Sequence, residues 1–235
     1  MDPQSDSPPA ADVTATALPP EATIRGPGRP KDMAKGAAIL ESGTTLFVEN
    51  GYAGTSMEAV AAAAGVSKLT VYSHFGSKQG LFVAAVRAHC DRMLPGALFE
   101  RSPGTPLPER LHAVARAVHA LCTSREAIAA NRVLSAPGMA GSEEARLYWE
   151  AGPARLQSHV EALLARRAQR GELRIDPDDA ATVTLAATQF IALLTGPPQV
   201  RLVLGCEPSP VATEAQVEGA VATFLRAWAT PPPAS

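Results

Sequence analysis

The stretch MEAVAAAAGVSKLTVYSHFGSK, Met57 to Lys78, constrains this chain most, because it writes two short helices on either side of a single glycine. The alanine-rich run stops at Gly65, Val66 can plug the turn, and Ser67 stands where an N-cap belongs, predicting a helix from Lys68 to about Phe75. Gly76 closes that helix, and Ser77 caps a fourth one, Lys78 to Met93. Upstream, Met33, Ala37, Leu40, Thr44, Phe47 and Val48 recur with helical spacing from Asp32 to Asn50, and Gly51 supplies a left-handed stop. Thr55 followed by Glu58 reads as a capping box that starts the second helix at Ser56. A long helix followed by two short ones joined through a glycine turn predicts a helix-turn-helix in a three-helix bundle.

The second short helix carries an unusual mixture outward. Lys68, Leu69, Tyr72 and Ser73 share one side, while Val66, Val71 and Phe75 can anchor the other on the alanine-rich helix. A cation, an apolar contact, a phenol and a hydroxyl are what a reader of the DNA major groove needs. Lys68 suits a guanine edge or a phosphate, Leu69 and Thr70 a thymine methyl, and Tyr72 and His74 phosphate oxygens. Lys78 begins the next helix, whose positive N-terminal dipole favours a phosphate there.

Charge supports this placement. The whole chain sums to −2, but Arg25 to Arg92 holds eight Lys/Arg against five acids, and all four lysines lie between 31 and 78. Hydrophobic residues make up 46% and aromatics 5%, dominated by Ala, Leu and Val, which predicts an all-α protein. Three widely spaced cysteines, Cys90, Cys122 and Cys206, fit free buried thiols in a reducing cytosol. The first residues lack the basic and apolar regions of a signal peptide. The most apolar run, AATVTLAATQFIALLTG, is broken by threonines and a glutamine and reads as a buried helix of a cytoplasmic protein, not a membrane span.

At TLFVENGYAGTSMEAVAAAAGVSKLTVYSHFGSKQGLF the chain resembles the N-terminal DNA-binding domain of the TetR family of bacterial transcriptional regulators. The matches include Phe47, Gly51, Tyr52, Thr55, Val60, Ala61, Ala64, Gly65, Val66, Ser67, Thr70, Tyr72, Phe75, Lys78, Leu81 and Phe82, over about residues 33 to 93. The resemblance implies that Thr55 and Ser56 hold a phosphate and that Lys68, Leu69, Thr70, Tyr72, Ser73, His74 and Lys78 line the contact surface. Leu69, Val71 and Ser73 depart from the family's usual residues, and the two outward ones bear on operator sequence. The arm RGPGRPK, with Arg25, Arg29 and Lys31, resembles arms that precede the first helix in the family. It suits either a minor-groove contact or a plain flexible linker.

The expected organisation is an arm at 1–30, a DNA-binding domain at 31–93, a linker at 94–106, a helical effector-binding and dimerisation domain at 107–230 and a tail at 231–235. Helices are expected near 109–123, 124–134, 143–170 with a bend at Gly152-Pro153, 177–194 and 213–228. Val183, Ile191, Leu194, Val217, Val221, Phe224, Leu225 and Trp228 make wide apolar faces. Two such helices from each of two chains would form a four-helix dimer interface, the alternative being that they pack into their own subunit's core. His112, Arg116, His119, Tyr148, Trp149, Gln189 and Phe190 are candidates for an effector pocket. His119 and Cys122 supply at most two metal ligands, so no metal and no cofactor is expected. The five histidines sit in no catalytic motif and no phosphate loop follows a strand, which argues against an enzyme. The expectation is a dimeric regulator bound to a palindromic duplex operator and released as a repressor by a small-molecule effector. An effector-independent DNA binder and an activator are the alternatives.

Overall fold

The computed structural model describes residues 32–99, 104–135, 138–207 and 211–231. Among these residues there are ten α-helices and no strand. They are α1 (Met33–Gly54), α2 (Met57–Ala63), α3 (Lys68–Phe75), α4 (Lys78–Met93), α5 (Leu107–Cys122), α6 (Arg125–Leu134), α7 (Glu143–Ala151), α8 (Pro153–Ala168), α9 (Ala180–Val203) and α10 (Thr213–Trp228). Short polar side chains start most of them: Asp32, Ser56, Ser67, Ser77, Ser124, Ser142 and Asp179 each accept backbone N–H bonds at a first turn.

The N-terminal three helices close around Ile39, Phe47, Val60, Val71, Leu81 and Phe82, with α4 contributing its first turns to the same core. Gly51 (φ 71°) kinks α1 near its end and Gly65 (φ 64°) makes the α2–α3 turn, both at positive φ, a region where other residues are strained. The expected Thr55–Glu58 capping box gives way to a single N-cap one residue later, with Ala59 at its third position. Ser56, not Thr55, caps α2 by accepting from Ala59 N at 3.1 Å, because Thr55 is buried and its hydroxyl donates to Leu46 O (3.0 Å) and Gly51 O (2.8 Å).

The second core gathers α5, α8, α9 and α10 around Leu111, Val114, Val118, Val160, Leu164, Phe190, Leu194, Val217 and Phe224. Phe190 and Phe224 meet edge to face at 5.0 Å between ring centroids. The first described part of the segment expected as a linker is docked: a 3-10 turn at Gly96–Leu98 leads to buried Phe99, whose ring lies 5.1 Å from that of His159 on α8. The expected bend at Gly152-Pro153 is a full break between α7 and α8. α9 runs beyond its expected end, because the backbone kinks at Gly196 (φ 21°, ψ −134°) and Pro197 and Pro198 then open a further helical stretch to Val203. α9 is long and apolar enough to cross a membrane, but its Val183, Ala186, Ala187, Phe190 and Leu194 are buried against the other helices of this core.

The apolar faces of α9 and α10 turn inward. Val183, Leu194, Val217, Val221 and Phe224 are buried in the chain's own core, and Ile191, Leu225 and Trp228 pack against it. Val183, Leu194, Val217, Val221 and Phe224 are therefore core residues with no surface to present to a second chain, a correction to the interface expected of them, while Ile191, Leu225 and Trp228 keep part of their surface exposed. The outward faces of the two helices carry Thr184, Leu185, Gly219, Ala222 and Thr223 instead.

Candidate nucleic-acid interface and internal cavity

α3 is held by Val71, fully buried in the first core, a burial that stabilises by about 1.5–3 kcal/mol. Ser67 pins its start by accepting from Thr70 N at 3.2 Å, and the Ser67 and Thr70 hydroxyls also bond at 2.9 Å. What this leaves outward is Lys68, Leu69, Tyr72 and Ser73, all exposed. Leu69 is 79% exposed, on a helix that has buried its own apolar side and so offers this leucine to another surface. Thr70 is half-buried with its hydroxyl engaged by Ser67, leaving its methyl as the group to offer. The Ser73 hydroxyl donates to Thr70 O at 2.9 Å.

Other expected contacts are spent inside the protein. His74 is half-buried against α1, where a Cβ on Gly36 would stand 3.1 Å from its Nδ1, so its ring faces that helix and not the outer side of Tyr72. Thr55 has no hydroxyl proton to offer a phosphate, since it is shared between two α1 carbonyls. Ser56 is exposed at the start of α2. Lys78 Nζ lies 4.4 Å from the centroid of the Tyr52 ring and donates to Ala53 O at 3.4 Å, and burial lowers its pKa from the usual lysine range. Lys68 Nζ is ion-paired with Glu58 of α2 and lies 5.8 Å from the Tyr72 ring. Arg25, Arg29 and Lys31 lie outside the described residues.

A cavity of about 450 Å³ opens between the two cores. One wall is Thr44, Phe47, Val48 and Tyr52 of α1 with Phe82, Val86, His89 and Cys90 of α4. The other is built by Glu126, Asn131 and Leu134 of α6, Tyr148 and Trp149 of α7, Leu156 and Gln157 of α8, and Thr188, Ile191, Thr195 and Gln199 of α9. Aromatic rings dominate the first wall: Phe47 and Tyr52 stack at 5.9 Å, and Phe82 meets them edge-on at 5.3 and 5.2 Å. Phe82 also faces Tyr148 at 6.4 Å.

One polar knot ties α4 to α6. The Ser124 hydroxyl donates to Leu121 O (2.8 Å), so it can only accept from His89 Nε2 at 3.0 Å. That fixes the Nε2–H tautomer and leaves Nδ1 to accept from Arg92 at 2.9 Å. Burial lowers the His89 pKa, Arg92 lowers it further, and Glu126 opposes them. Burial likewise raises the pKa of the Cys90 thiol and pushes Cys122 and Tyr148 up to about 12.

Two of the expected pocket residues, Tyr148 and Trp149, line this cavity. His112 Nδ1 bonds Pro108 O (2.8 Å) within α5, Arg116 pairs with Glu214 of α10, and buried His119 donates from Nδ1 to Leu194 O (2.9 Å). Gln189 accepts from Trp228 Nε1 at 3.0 Å, and Phe190 is core. These five sit elsewhere because α5 and α9 turn the faces that carry them into the second core or to solvent. Sequence reasoning missed the α1 and α4 wall, which carried no signal of its own, since Phe47 and Phe82 are buried in the first core and only packing against the other helices turns the edge of that core toward a cavity. Of the cysteines expected to be buried, Cys206 is exposed.

Residues 39–85 match the model of bacterial regulatory proteins of the tetR family, and residues 109–230 match that of the AefR-like transcriptional repressor C-terminal domain, which alone covers more than half of the chain. The chain belongs to the TetR family. It is 32% identical to the transcriptional regulator RutR of Escherichia coli O157:H7 over 176 residues, 73% of this chain and 79% of RutR. It is 33% identical to the transcriptional activator FasR of Mycolicibacterium smegmatis over 93 residues, 40% of this chain and only 42% of that protein. Among solved structures, the flavonoid-responsive regulator FrrA is 29% identical with a TM-score of 0.64, covering 86% of this chain and all of FrrA. This TetR-family chain is accordingly a DNA-binding transcriptional regulator with α2 and α3 as its helix-turn-helix, and its relatives are regulators, not enzymes.

Proposed function

We propose that this protein is a homodimeric repressor that occupies a palindromic operator in the cytoplasm and leaves it when a small molecule fills the cavity between its two cores. The observation that supports release is the composition of the cavity wall. α1 and α4, which flank the helix-turn-helix, supply one wall of it, so a ligand seated there touches the DNA-binding unit directly. A ligand that favours one placement of α4 changes the distance between the two α3 helices of a dimer, and operator half-sites one helical turn apart tolerate little change.

Dimerisation is assigned to the outward faces of α9 and α10, where Gly219, Ala222 and Thr184 permit close helix approach around Leu185, which is 51% exposed. Lys68, Leu69, Thr70, Tyr72 and Ser73 read the groove, with Ser56 and Lys78 at phosphates. The likeness to FrrA, named for its response to flavonoids, makes aromatic compounds the first to test.

The test is fluorescence anisotropy of the full chain on a pool of palindromic duplexes at near-physiological salt, with and without aromatic and acyl compounds. Tight binding reversed by a compound supports the reading, and tight binding that no compound alters overturns release. The likeness of the N-terminal region to the activator FasR makes activation a second reading, which an in vitro transcription assay on the selected operator separates from repression.

A further inference from the structure

The cavity discriminates between chemical classes of ligand. Among its described lining residues there is no Lys and no Arg, and Glu126 is the one carboxylate. The nearby cations are engaged elsewhere: Arg92 donates to His89 Nδ1 at 2.9 Å and faces Glu126 at 3.7 Å, and Arg155 pairs with Asp91 at 2.8 Å. One Arg155 nitrogen, Nη1, is buried without a partner, but the void that Arg155 lines measures about 10 Å³, room for a water and not for a carboxylate. A carboxylate or phosphate inside the main cavity would lose its hydration, meet no cation on the wall and face Glu126, a cost that an apolar tail has to overcome.

The polar groups that remain uncommitted are neutral. The Tyr148 hydroxyl accepts from Asn131 Nδ2 at 3.4 Å, and among the described residues nothing accepts its own proton. Asn131 Nδ2 also donates to Ala127 O at 2.8 Å; because that carbonyl only accepts, the amide orientation is fixed and Oδ1 is left as an acceptor. One donor and one acceptor thus sit side by side, next to the wall of Phe47, Tyr52, Phe82 and Tyr148 rings. Burial keeps the Tyr148 phenol protonated far above neutral pH, so it stays a donor.

We infer that the ligand of this cavity is an uncharged, flat aromatic molecule bearing a hydroxyl group, which accepts from Tyr148 and donates to Asn131 while its rings pack on the Phe47–Tyr52–Phe82 wall. A volume of about 450 Å³ accommodates two or three fused or linked rings. The Glu126 carboxylate already faces Arg92 and His89, so an ammonium would have to displace Arg92 to reach it. This inference rests on the cavity being the effector site proposed above, and it concerns what binds there, independently of whether binding releases DNA.

Isothermal titration calorimetry of the full chain at pH 7 tests it with five probes sharing one size: 4-hydroxybiphenyl, biphenyl, biphenyl-4-carboxylate, 4-phenylbenzylammonium and dodecanoate. The expected order puts 4-hydroxybiphenyl first. Tyr148→Phe, which keeps the ring against Phe82, weakens it about fivefold, the worth of one neutral hydrogen bond, and leaves biphenyl unchanged. Asn131→Ala gives the same selective loss. Tighter binding of the carboxylate, dodecanoate or the ammonium overturns the inference, as does equal weakening of phenol and biphenyl by Tyr148→Phe. A parallel operator titration separates the two readings. The expected binding order without DNA release sinks the release mechanism alone, and release by a carboxylate that binds tighter than the phenol sinks the ligand class alone.

Discussion

Lys68, the first residue of the recognition helix, is ion-paired with Glu58 of the helix before it, so the main cation of the DNA-reading face is neutralised by a neighbouring acid. The Lys68 hydrogen bond holds the Glu58 carboxyl below its usual range, and the same pair raises the Lys68 pKa. Both side chains are more than half exposed, so the pair adds little to stability. Glu58→Gln is expected to strengthen binding to random duplex several-fold and to steepen the salt dependence by about one ion, with an unchanged melting temperature. A salt slope identical to that of the parent protein, measured by anisotropy, would show that Glu58 does not restrain Lys68.

Lys78 does two jobs in this reading. Its ammonium rests on the Tyr52 ring and on Ala53 O, and it is also proposed to meet a phosphate. Lys78→Ala should flatten the salt dependence of DNA binding by about one ion for all sequences alike and cost about 0.5–1 kcal/mol of stability. If the slope is unchanged while stability falls, the lysine is purely structural.

Thr55 is expected to act through the fold. Its buried hydroxyl joins the end of α1 to Leu46 O and Gly51 O, so Thr55→Val should cost about 1–2 kcal/mol in chemical denaturation. Operator affinity per folded molecule should be preserved. Loss of affinity at full stability would instead return Thr55 to phosphate contact.

Burial pushes the Tyr148 phenol and the Cys122 thiol to about 12 from ordinary values of 10 and 9. A raised pKa means that the folded state holds the proton longer than the unfolded one. The contribution is therefore complete below pH 9 and is lost as pH rises toward 12. Stability should fall by roughly 1.4 kcal/mol per pH unit for each group across its own window. Absorbance titration of Tyr148→Phe against the parent protein reads this directly: the parent should show one more tyrosine ionising near the alkaline unfolding step than the variant does, and the same delayed fraction in both proteins would refute the burial.

Leu185→Glu tests the assigned dimer face. The side chain is half exposed in the single chain and lies outside both cores, so the substitution should leave helix content intact and give a monomer in sedimentation velocity. A dimer that persists would move the interface elsewhere. Trp228→Ala, in contrast, removes a ring packed on the chain's own core and should lower stability.

Local chemistry alone settled much of this protein. Caps at Ser67, Ser77, Ser124 and Ser142 and the positive-φ backbone at Gly51 and Gly65 are set by neighbours within a few residues, so the sequence itself carries them. The same holds for the outward set Lys68, Leu69, Tyr72 and Ser73, since helical spacing fixes which residues share a side once Val71 is assigned inward. What only tertiary structure decided is the destination of groups whose partners lie far along the chain. Lys78 could be found on Tyr52, His74 against Gly36 and His119 on Leu194 O only after the helices had packed. An apolar stripe states that a face is buried but not against what, which is why Val217 and Phe224 are core and not interface. The cavity belongs to the same class of fact, because it is the space left where α1 and α4 meet α6 to α9, and no single helix carries a record of it.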